Sequence, residues 1–490
     1  MSIAATFDSH DPVTRLVLAQ YPNHSREEVD ACVSRAHLAA ERWQSYTFTA
    51  RKKVLLAWCA LLTSKIDEIA TLIKSETGKP LSDATLEATL AIGHLAWAAK
   101  SAEKVLSPQR RPSGILMFNM SSVVDRVPFG VVGVIGPWNY PIFTPMGSIA
   151  YALAAGNAVV FKPSEYTPGV GSLLARTFAE ISPIENLFTT VTGLPETGKF
   201  LTESAVNKVS FTGSTRTAKL VAANCATRMV PVVLECGGKD PIIVASDANL
   251  EKAAEYALWS AMSNAGQTCI GAERLYVVED VADKFLAIIT AMAKEIKPGK
   301  DGNYGPATMP SQLAVIQNHL NDAASKGASF LVGDTHSVKA PFVEPVIMVN
   351  VPEDSLAMTD ETFGPTLAIN RVPSAAAAIN LANASSYGLS AAVFSKRHGK
   401  KIARALKCGM VSVNSVIAFA AIASVPFGGV RDSGYGRIHG PEGLLEFTYP
   451  RTMVKQIFPI PVEFTTFKRT AFADGFIKKA IRLLHNKGLG

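Results

Sequence analysis

Short apolar runs alternate with amphipathic helices through much of the chain, and this alternation constrains the fold most. The run Val131–Ile135 carries no polar side chain, as is typical of a parallel strand buried on both faces. Further strands and helices follow it to about Phe211, and a second alternation begins at Pro241. The sequence therefore predicts two α/β domains, with their junction near Gly237-Gly238.

The length and composition agree with this architecture. At about 150 residues per domain, 490 residues make about two or three structural units. A hydrophobic fraction of 48% with 18% charged residues excludes a disordered or coiled-coil chain. Apolar residues at spacings of three and four predict helices over Ser25–Gln44, about Thr49–Gly78 and Leu81–Leu106. The segment Ile115–Val127 is predicted to be extended.

Neither a membrane span nor a secretory signal is predicted. Prolines interrupt the uncharged stretch after Val127 well short of the roughly 20 apolar residues that a spanning helix needs. The N-terminus has no basic start and no apolar run before Asp8, so the cytoplasm is the expected compartment. Six cysteines without a Cys-x-x-Cys pair, and histidines without helical ligand spacing, predict neither a disulfide framework nor a metal site.

Much of the net charge of +7 lies near the C-terminus. Residues 465–490 contain six basic residues and one acidic residue, interspersed with Phe467, Phe472 and Phe476. This basic amphipathic tail is consistent with a peripheral membrane helix, or with a helix that packs on its own or a neighbouring subunit, and Gly475 weakens a continuous helix. Because the excess charge is mostly in the tail and no recognition module is present, no nucleic-acid partner is predicted.

Three residues suited to acyl chemistry stand in glycine-rich or proline-rich segments. Cys269, on a predicted loop, can attack carbonyl carbon as a thiolate, but an ordinary thiol with a pKa of about 8.5 needs a base. Glu235, followed closely by two glycines, is the candidate base. Asn139 follows a predicted strand, and its amide can donate hydrogen bonds to an oxyanion at any pH. Taken alone, a single cysteine is more often a core residue and a single glutamate a surface charge.

The ordered set of motifs resembles the aldehyde dehydrogenase superfamily over about Ser25 to Val454. In chain order these motifs are Pro137-Trp-Asn-Tyr-Pro141, Gly156-Asn-Ala-Val-Val-Phe-Lys-Pro-Ser-Glu165, Phe211-Thr-Gly-Ser-Thr215, Glu235 with Gly237-Gly238-Lys239, Gly266-Gln-Thr-Cys269, Glu361-Thr-Phe-Gly-Pro365 and Pro426-Phe-Gly-Gly429. The resemblance implies an α/β fold of the aldehyde dehydrogenase type, with a Rossmann-type cofactor domain, an α/β catalytic domain and a small β oligomerisation arm. The implied divisions are an NAD-binding domain (1–110 and 129–237), a catalytic domain (238–447), oligomerisation segments (111–128 and 448–464) and the tail (465–490).

The resemblance also implies the reaction. Cys269 would form a thiohemiacetal and then a thioester, Asn139 would stabilise the oxyanion, and Glu235 would activate the hydrolytic water. The implied hydride acceptor is NAD, with NADP as the alternative. Superfamily members that transfer the acyl group to coenzyme A typically lack the base, so its presence favours release of a carboxylic acid.

Cofactor contacts follow from the same resemblance. The implied cofactor-binding residues are Trp138, Lys162, Glu165, Gly213, Ser214, Glu361 and Phe363. Lys162 and Glu165 would contact the adenosine ribose, Ser214 and Trp138 the pyrophosphate, and Glu361 the nicotinamide ribose. Glu165 favours NAD, because a carboxylate binds ribose hydroxyls and repels the extra phosphate of NADP.

The substrate prediction depends on two absent arginines. Superfamily members that oxidise carboxylated semialdehydes often carry arginines where this chain has Gly147 and Ser263, and the implied entrance segment Val416–Val425 is almost entirely apolar. An apolar aliphatic or aromatic aldehyde is therefore predicted, with succinic semialdehyde and a catalytically silent binding protein as the alternatives. Ile115–Val127 and Thr448–Ile457 resemble the strands through which the family dimerises, so a homodimer or homotetramer is predicted.

Overall fold

The structure, a computed structural model, describes residues 5–460 and 465–486. Its helices are α1 (Arg26–Gln44), α2 (Phe48–Ser64), α3 (Ile66–Thr77), α4 (Leu81–Leu106), α5 (Phe143–Ala155), α6 (Pro168–Ile181), α7 (Pro195–Glu203), α8 (Thr215–Ala226), α9 (Leu250–Met262), α10 (Glu279–Ala293), α11 (Ser311–Ser325), α12 (Leu356–Thr359), α13 (Ala375–Asn383), α14 (Gly399–Ala405), α15 (Ala418–Ala421), α16 (Gly440–Glu446) and α17 (Ala471–His485). Short 3₁₀ turns cover Ile115–Met117, Ser263–Gly266 and Arg431–Ser433.

The strands alternate with these helices. They are β1 (Thr6–His10), β2 (Val17–Pro22), β3 (Gln109–Arg111), β4 (Met120–Pro128), β5 (Val131–Ile135), β6 (Ala158–Lys162), β7 (Phe188–Thr190), β8 (Lys208–Gly213), β9 (Val232–Cys236), β10 (Asp240–Val244), β11 (Ala272–Val278), β12 (Ser329–Val332), β13 (Val338–Lys339), β14 (Phe342–Val343), β15 (Val346–Val349), β16 (Thr366–Val372), β17 (Ser390–Phe394), β18 (Met410–Val413), β19 (Gly434–Tyr435) and β20 (Thr448–Gln456). Two large sheets and smaller two- and three-stranded sheets result.

The first large sheet has the strand order β19-β9-β8-β5-β6-β7. Strands β9, β8, β5, β6 and β7 are parallel, and the short β19 joins the edge antiparallel to β9. Both faces of this sheet are covered, and Val131, Val132 and Val159 are fully buried. The prediction of a buried parallel strand over Val131–Ile135 is confirmed.

The second large sheet has the order β12-β15-β16-β11-β10-β17-β18. All of its pairs are parallel except β12 with β15 at the edge. Neighbouring residues of β10 point to opposite faces, so that Ile242 and Val244 enter one apolar cluster and Ile243 enters the other. The chain passes from the first sheet to the second between Cys236 and Asp240.

The N-terminal helices differ from the sequence prediction in one place. Helix α1 is confirmed, and Ser25 and Glu28 form a reciprocal capping box at its start. The single helix predicted from about Thr49 to Gly78 is wrong, because Lys65 leaves helical geometry (φ −104°, ψ 16°) and separates α2 from α3. The apolar spacing continues unbroken across Lys65, so nothing in the local sequence indicated that the helix would be interrupted there.

The chain divides into two compact units: residues 1–105 with 128–447, and 106–127 with 448–490. The second unit contains a sheet of order β20-β4-β3 and helix α17. The predicted extended segment Ile115–Val127 is extended only from Met120, because a 3₁₀ turn precedes it. Helix α17 continues through Gly475, which was expected to weaken a continuous helix. The predicted segments at 461–464 and 487–490 lie outside the described residues.

Candidate active site

A cavity of about 980 Å³, including its open mouth, contains two of the three predicted catalytic residues. Cys269 and Glu235 both line it. Thr212 and Glu235, which also face it, lie near the ends of the paired parallel strands β8 and β9. Ligand crevices of open parallel sheets form at this carboxyl edge.

The loop before Cys269 has an uncommon backbone. Asn264, Ala265 and Gly266 are successively left-handed, with φ values of 51°, 58° and 71°. A Cβ atom added to Gly266 would lie 2.0 Å from the carbonyl oxygen of Gly364, so only glycine fits there. Such strain persists where surrounding contacts hold the backbone, and it is common at functional sites.

Buried polar side chains hold this loop. The Asn139 Nδ2 group donates a hydrogen bond of 2.9 Å to the carbonyl oxygen of Gln267. In return, Asn264 Nδ2 donates to the Asn139 carbonyl oxygen at 3.1 Å. The hydroxyls of Tyr140 and Thr268 are 2.9 Å apart. The structure therefore brings Asn139 against the cysteine loop, although its side chain is not among those that line the cavity.

A buried ion pair between Lys79 and Glu87, which sequence reasoning missed, holds the backbone at Asn139. Lys79 Nζ lies 2.7 Å from Glu87 Oε2 and also donates to the Asn139 carbonyl oxygen at 2.7 Å. Glu87 Oε1 accepts hydrogen bonds from the backbone N–H groups of Ile142 and Phe143, at the start of α5. Both side chains are almost completely buried. The pair fixes the turn that carries Asn139.

Removing one charge of this pair is expected to be costly. Lys79→Met should lower the free energy of unfolding in urea by about 3–5 kcal/mol, because Glu87 stays buried without its partner. The double variant Lys79→Met/Glu87→Gln should recover part of the loss, since glutamine keeps an acceptor for the two N–H groups without the charge.

Lys252 supplies the matched control for that experiment. Its distance to Glu255 is also 2.7 Å, but the two side chains are 60% and 58% exposed. Lys252→Met should therefore change stability by about 1 kcal/mol or less. Equal losses in the Lys79 and Lys252 variants would contradict a structural role for the buried pair.

The predicted base is a buried carboxyl group. Glu235 is 3% exposed, and neither of its oxygens has a hydrogen-bond partner among the described residues. Burial raises the pKa of Glu235 well above its usual range, and the charge of Arg437 only partly opposes this effect. A carboxyl group with a raised pKa is suited to accept a proton near neutral pH.

The predicted nucleophile is partly exposed as a residue, whereas its thiol group is buried. Burial, followed by the charges of Glu361 and Glu235, raises the pKa of Cys269 well above that of a free thiol. A hydrogen bond from the Ile270 backbone opposes this shift only in part. The thiol therefore needs a neighbouring base for its proton, and Glu235 lines the same cavity.

The predicted cofactor residues lie at the carboxyl edge of the first large sheet. Trp138 follows β5, Lys162 ends β6, and Gly213 ends β8 with Ser214 as the N-cap of α8. Lys162 Nζ is 3.4 Å from Glu165 Oε2. These strands are neighbours in the sheet, so the sheet order brings together residues that are up to 76 positions apart in the chain.

The two other predicted cofactor residues are in the loop before β16. Phe363 packs edge-on against Trp138, with ring centroids 5.6 Å apart. Glu361 accepts a hydrogen bond of 3.3 Å from the Gly238 N–H, and burial raises its pKa to about 8. A Cβ atom at Gly237 would lie 1.9 Å from Glu361 Oε1, so a larger residue there would displace this carboxyl group.

A second buried ion pair, also missed from the sequence, holds this loop. Lys239 Nζ donates to Glu273, and Glu273 accepts from the backbone N–H groups of Thr362 and Phe363 at 2.8–3.0 Å and 2.9 Å. No local pattern links Lys239 to Glu273, which is 34 positions away. The described residues hold no cluster of three or more His, Cys, Asp or Glu side chains that could bind a metal ion.

The chain belongs to the aldehyde dehydrogenase family, whose model matches residues 2–453. Members of this family are oxidoreductases that act on aldehydes. The recognition made from the motifs, and the α/β fold class that it implied, are thereby confirmed.

Individual relatives cover nearly the whole chain. The chain is 34% identical to the 4,4'-diapolycopene aldehyde oxidase of Methylomonas sp, over 95% of this chain and 89% of the relative. The NAD-dependent aldehyde dehydrogenase of Sinorhizobium meliloti superposes with a TM-score of 0.90 at 28% identity, over 95% and 94% of the two chains. The NADP-dependent glyceraldehyde-3-phosphate dehydrogenase of Bacillus halodurans C-125, solved with NADP, gives 0.87 at 31% identity, over 93% and 96%.

Proposed function

We propose that this protein oxidises an apolar aldehyde to its carboxylic acid, through a thioester on Cys269 and with NAD as the hydride acceptor. One observation carries the proposal. A thiol and a carboxyl group with a raised pKa line the same cavity, and the Asn139 amide bonds the loop that presents the thiol.

The first step is addition of Cys269 to the aldehyde. Glu235 takes the thiol proton, and the sulfur bonds to the carbonyl carbon, so that the carbonyl oxygen becomes an oxyanion. One N–H of the Asn139 amide is already bonded to Gln267. The second N–H, together with the backbone N–H of Cys269, would stabilise that oxyanion.

The second half of the reaction regenerates the thiol. NAD(P)⁺ supplies the hydride acceptor when it is bound, and a thioester on Cys269 remains. Glu235 releases the thiol proton to solvent and then removes a proton from a water molecule, which attacks the thioester carbon. The C–S bond breaks, the carboxylic acid leaves, and Cys269 recovers its proton.

The residues at the sheet edge fit a dinucleotide. The first turn of α8 offers backbone N–H groups and the Ser214 hydroxyl for a pyrophosphate. Carboxyl groups at Glu165 and Glu361 supply acceptors for ribose hydroxyls, and the lack of a side chain at Gly237 lets the Glu361 carboxyl group lie against the backbone. Glu165, whose side chain is 28% exposed, favours NAD over NADP, because its charge would oppose a 2′-phosphate.

The cavity lining supports an apolar substrate. Phe143, Trp259, Ile270, Ile417 and Phe427 contribute much of its wall. The one lysine in the lining is already paired with a glutamate. Among the described lining residues there is therefore no unpaired cation for a substrate carboxylate, whose desolvation would be uncompensated.

A panel of aldehydes tests this substrate class. With NAD, kcat/KM for hexanal or benzaldehyde should exceed that for succinic semialdehyde by at least about tenfold, which corresponds to about 1.4 kcal/mol in transition-state binding. A tenfold preference for succinic semialdehyde would favour the alternative. Repeating the panel with NADP measures the cofactor preference, which should favour NAD.

We also propose that the second compact unit serves assembly and membrane contact. Strand β20 is an edge strand with exposed Met453 and Val454, which suits pairing with another subunit in a homodimer or homotetramer.

Helix α17 has an exposed apolar face. Phe472, Ile481 and Leu483 are 72%, 47% and 75% exposed, and the apolar residues occupy one half of the helix circumference. Lys478, Lys479 and Arg482 occupy the other half, so the helix suits an anionic bilayer surface. The described residues include no helix able to cross a bilayer, and the cytoplasm stays a prediction.

Vesicle co-sedimentation tests the tail. The protein should sediment with vesicles that contain phosphatidylglycerol, and less with phosphatidylcholine alone. Changing Lys478, Lys479 and Arg482 to glutamate should weaken binding more than about 100-fold, at roughly 1 kcal/mol per basic residue. Deletion of 465–490 should abolish binding but leave the molar mass a multiple of the chain, since β20 remains. Unchanged sedimentation after the deletion would contradict membrane binding by the tail. A molar mass equal to that of one chain would contradict assembly through β20.

A further inference from the structure

Two buried histidines meet beside the cavity that holds Cys269. His94 lies within α4 and His439 directly precedes α16, and their ring centroids are 3.9 Å apart. Each residue is 1% exposed. His439 lines the cavity, and His94 packs against its ring.

The surroundings of His439 are aromatic. Its ring centroid lies 5.3 Å from that of Phe427, 5.6 Å from Phe143 and 5.9 Å from Tyr151. A Cβ atom added to Gly147 would lie 2.4 Å from His439 Nε2. The imidazole thus occupies the space that a side chain at position 147 would need. This is one of the two positions where superfamily members that oxidise carboxylated semialdehydes often carry an arginine.

The histidine pair has unused hydrogen-bonding capacity. His94 Nε2 is 2.9 Å from the carbonyl oxygen of Ala420, and because a carbonyl only accepts, this nitrogen carries the hydrogen. Burial lowers the pKa of His94 to about 4 and that of His439 well below its usual range, so both rings are neutral. His94 Nδ1 is then an acceptor, and His439 has one N–H and one acceptor nitrogen. None of these three atoms has a partner among the described residues.

Such unmet groups are unfavourable in a folded core, at about 1–3 kcal/mol each. His439 is also held in the left-handed region, with a φ of 60°. Buried polar atoms without partners and a strained backbone at the same residue, on the wall of a cavity, are typical of a binding position.

We propose that His439, which lines the cavity and packs against His94, forms a polar subsite for a neutral hydroxyl group on the hydrophobic part of the aldehyde. The subsite rests on the proposed function, since it requires the aldehyde to bind in this cavity. A hydroxyl both donates and accepts a hydrogen bond, which matches the one N–H and the one acceptor nitrogen of His439. A carboxylate only accepts, so it would meet the repelling lone pair of the acceptor nitrogen. The preferred substrate class is therefore a hydroxylated apolar aldehyde.

The test uses matched ligands on the complete protein. Calorimetry without cofactor compares benzyl alcohol with 3-hydroxybenzyl and 4-hydroxybenzyl alcohol, which cannot be oxidised there. The corresponding benzaldehydes are compared by kcat/KM with NAD. At least one hydroxylated ligand should bind about tenfold tighter than its parent, and the matching aldehyde should gain about tenfold in kcat/KM. No preference in the unmodified protein for either hydroxylated ligand would overturn the subsite.

Substitutions locate the preference. His439→Phe should reduce it to within about twofold, because the ring shape stays and the polar atoms go. His439→Asn should keep part of it, because asparagine donates, accepts and tolerates a left-handed backbone. His336→Phe, at an exposed histidine, is the control and should keep the full preference. A full preference in His439→Phe would overturn the subsite.

The two proposals fail in different ways. Tighter binding of a hydroxylated alcohol without oxidation of any aldehyde would contradict the reaction and support the subsite. Oxidation of all three benzaldehydes with equal kcat/KM, together with equal binding of the alcohols, would support the reaction and overturn the subsite.

Discussion

Cys269→Ala is expected to abolish aldehyde oxidation, with NADH formation at least about 10⁴-fold below that of the unmodified protein. The sulfur is the atom that bonds to the carbonyl carbon. Cys236 also lines the cavity, but it is 3% exposed and burial raises its pKa to about 12, so it is a poorer nucleophile. The side chain is small and partly exposed, so the substitution should leave the fold intact. NADH absorbance measures the rate, and the melting temperature checks the fold.

A free thiol outside the cavity lining serves as the control for this experiment. Cys408 is a half-buried free cysteine whose thiol bonds the Met410 carbonyl oxygen at 3.2 Å, and Cys408→Ala should retain normal activity. Substantial activity in Cys269→Ala would show that Cys269 is not the nucleophile. Absence of NADH formation by the unmodified protein across the aldehyde panel would instead favour a catalytically silent member.

Glu235→Gln is expected to separate the two halves of the reaction. Steady-state turnover should fall by about 10²–10⁴-fold, since glutamine cannot take a proton from the hydrolytic water. Acyl transfer to Cys269 should still produce a burst approaching one NADH per chain, more slowly than in the unmodified protein because Glu235 also assists the thiol. Rapid-mixing absorbance measures both phases, and Glu251→Gln, at an exposed position, is the control.

The pH profile gives the same variant a second readout. Hydrolysis needs deprotonated Glu235, and burial raises the pKa of this carboxyl group. Turnover should therefore be lost as the pH falls through that raised pKa rather than near 4.5. Glu235→Gln has no such carboxyl group and should lose this dependence of the hydrolytic step. The role of Glu235 would be contradicted if Glu235→Gln and the unmodified protein had the same burst, the same steady-state rate and the same pH profile.

The parts of the site that were predictable are those with a local signature. Asn139 follows a predicted strand and Glu235 precedes two glycines, so their neighbours in the chain marked both residues as candidates, and the structure places both near the ends of parallel strands. Parallel strands then carry such residues to one sheet edge. The prediction of the main α/β architecture succeeded for the same reason, because buried parallel strands have an apolar signature of their own.

The missed residues act through contacts that are distant in the chain. Lys79 lies 60 positions from Asn139, and Glu273 lies 89 from Thr362, so no spacing rule connects them. Gln267, two positions before the cysteine, is 2% exposed and bonds Thr308 and Pro306. Charged and polar residues usually indicate surface, and only the folded structure shows which of them are buried and paired.

The most direct measurement is the mass of the Cys269 peptide from Glu235→Gln, mixed with NAD and an aldehyde and then quenched with acid. Addition followed by hydride loss leaves an acyl group on sulfur, so the peptide should gain the mass of the aldehyde less two hydrogen atoms. Aldehyde without NAD should leave no stable acyl group. A burst of NADH with no added mass on this peptide, or with the acyl group on another residue, would contradict the central claim that Cys269 carries the acyl group.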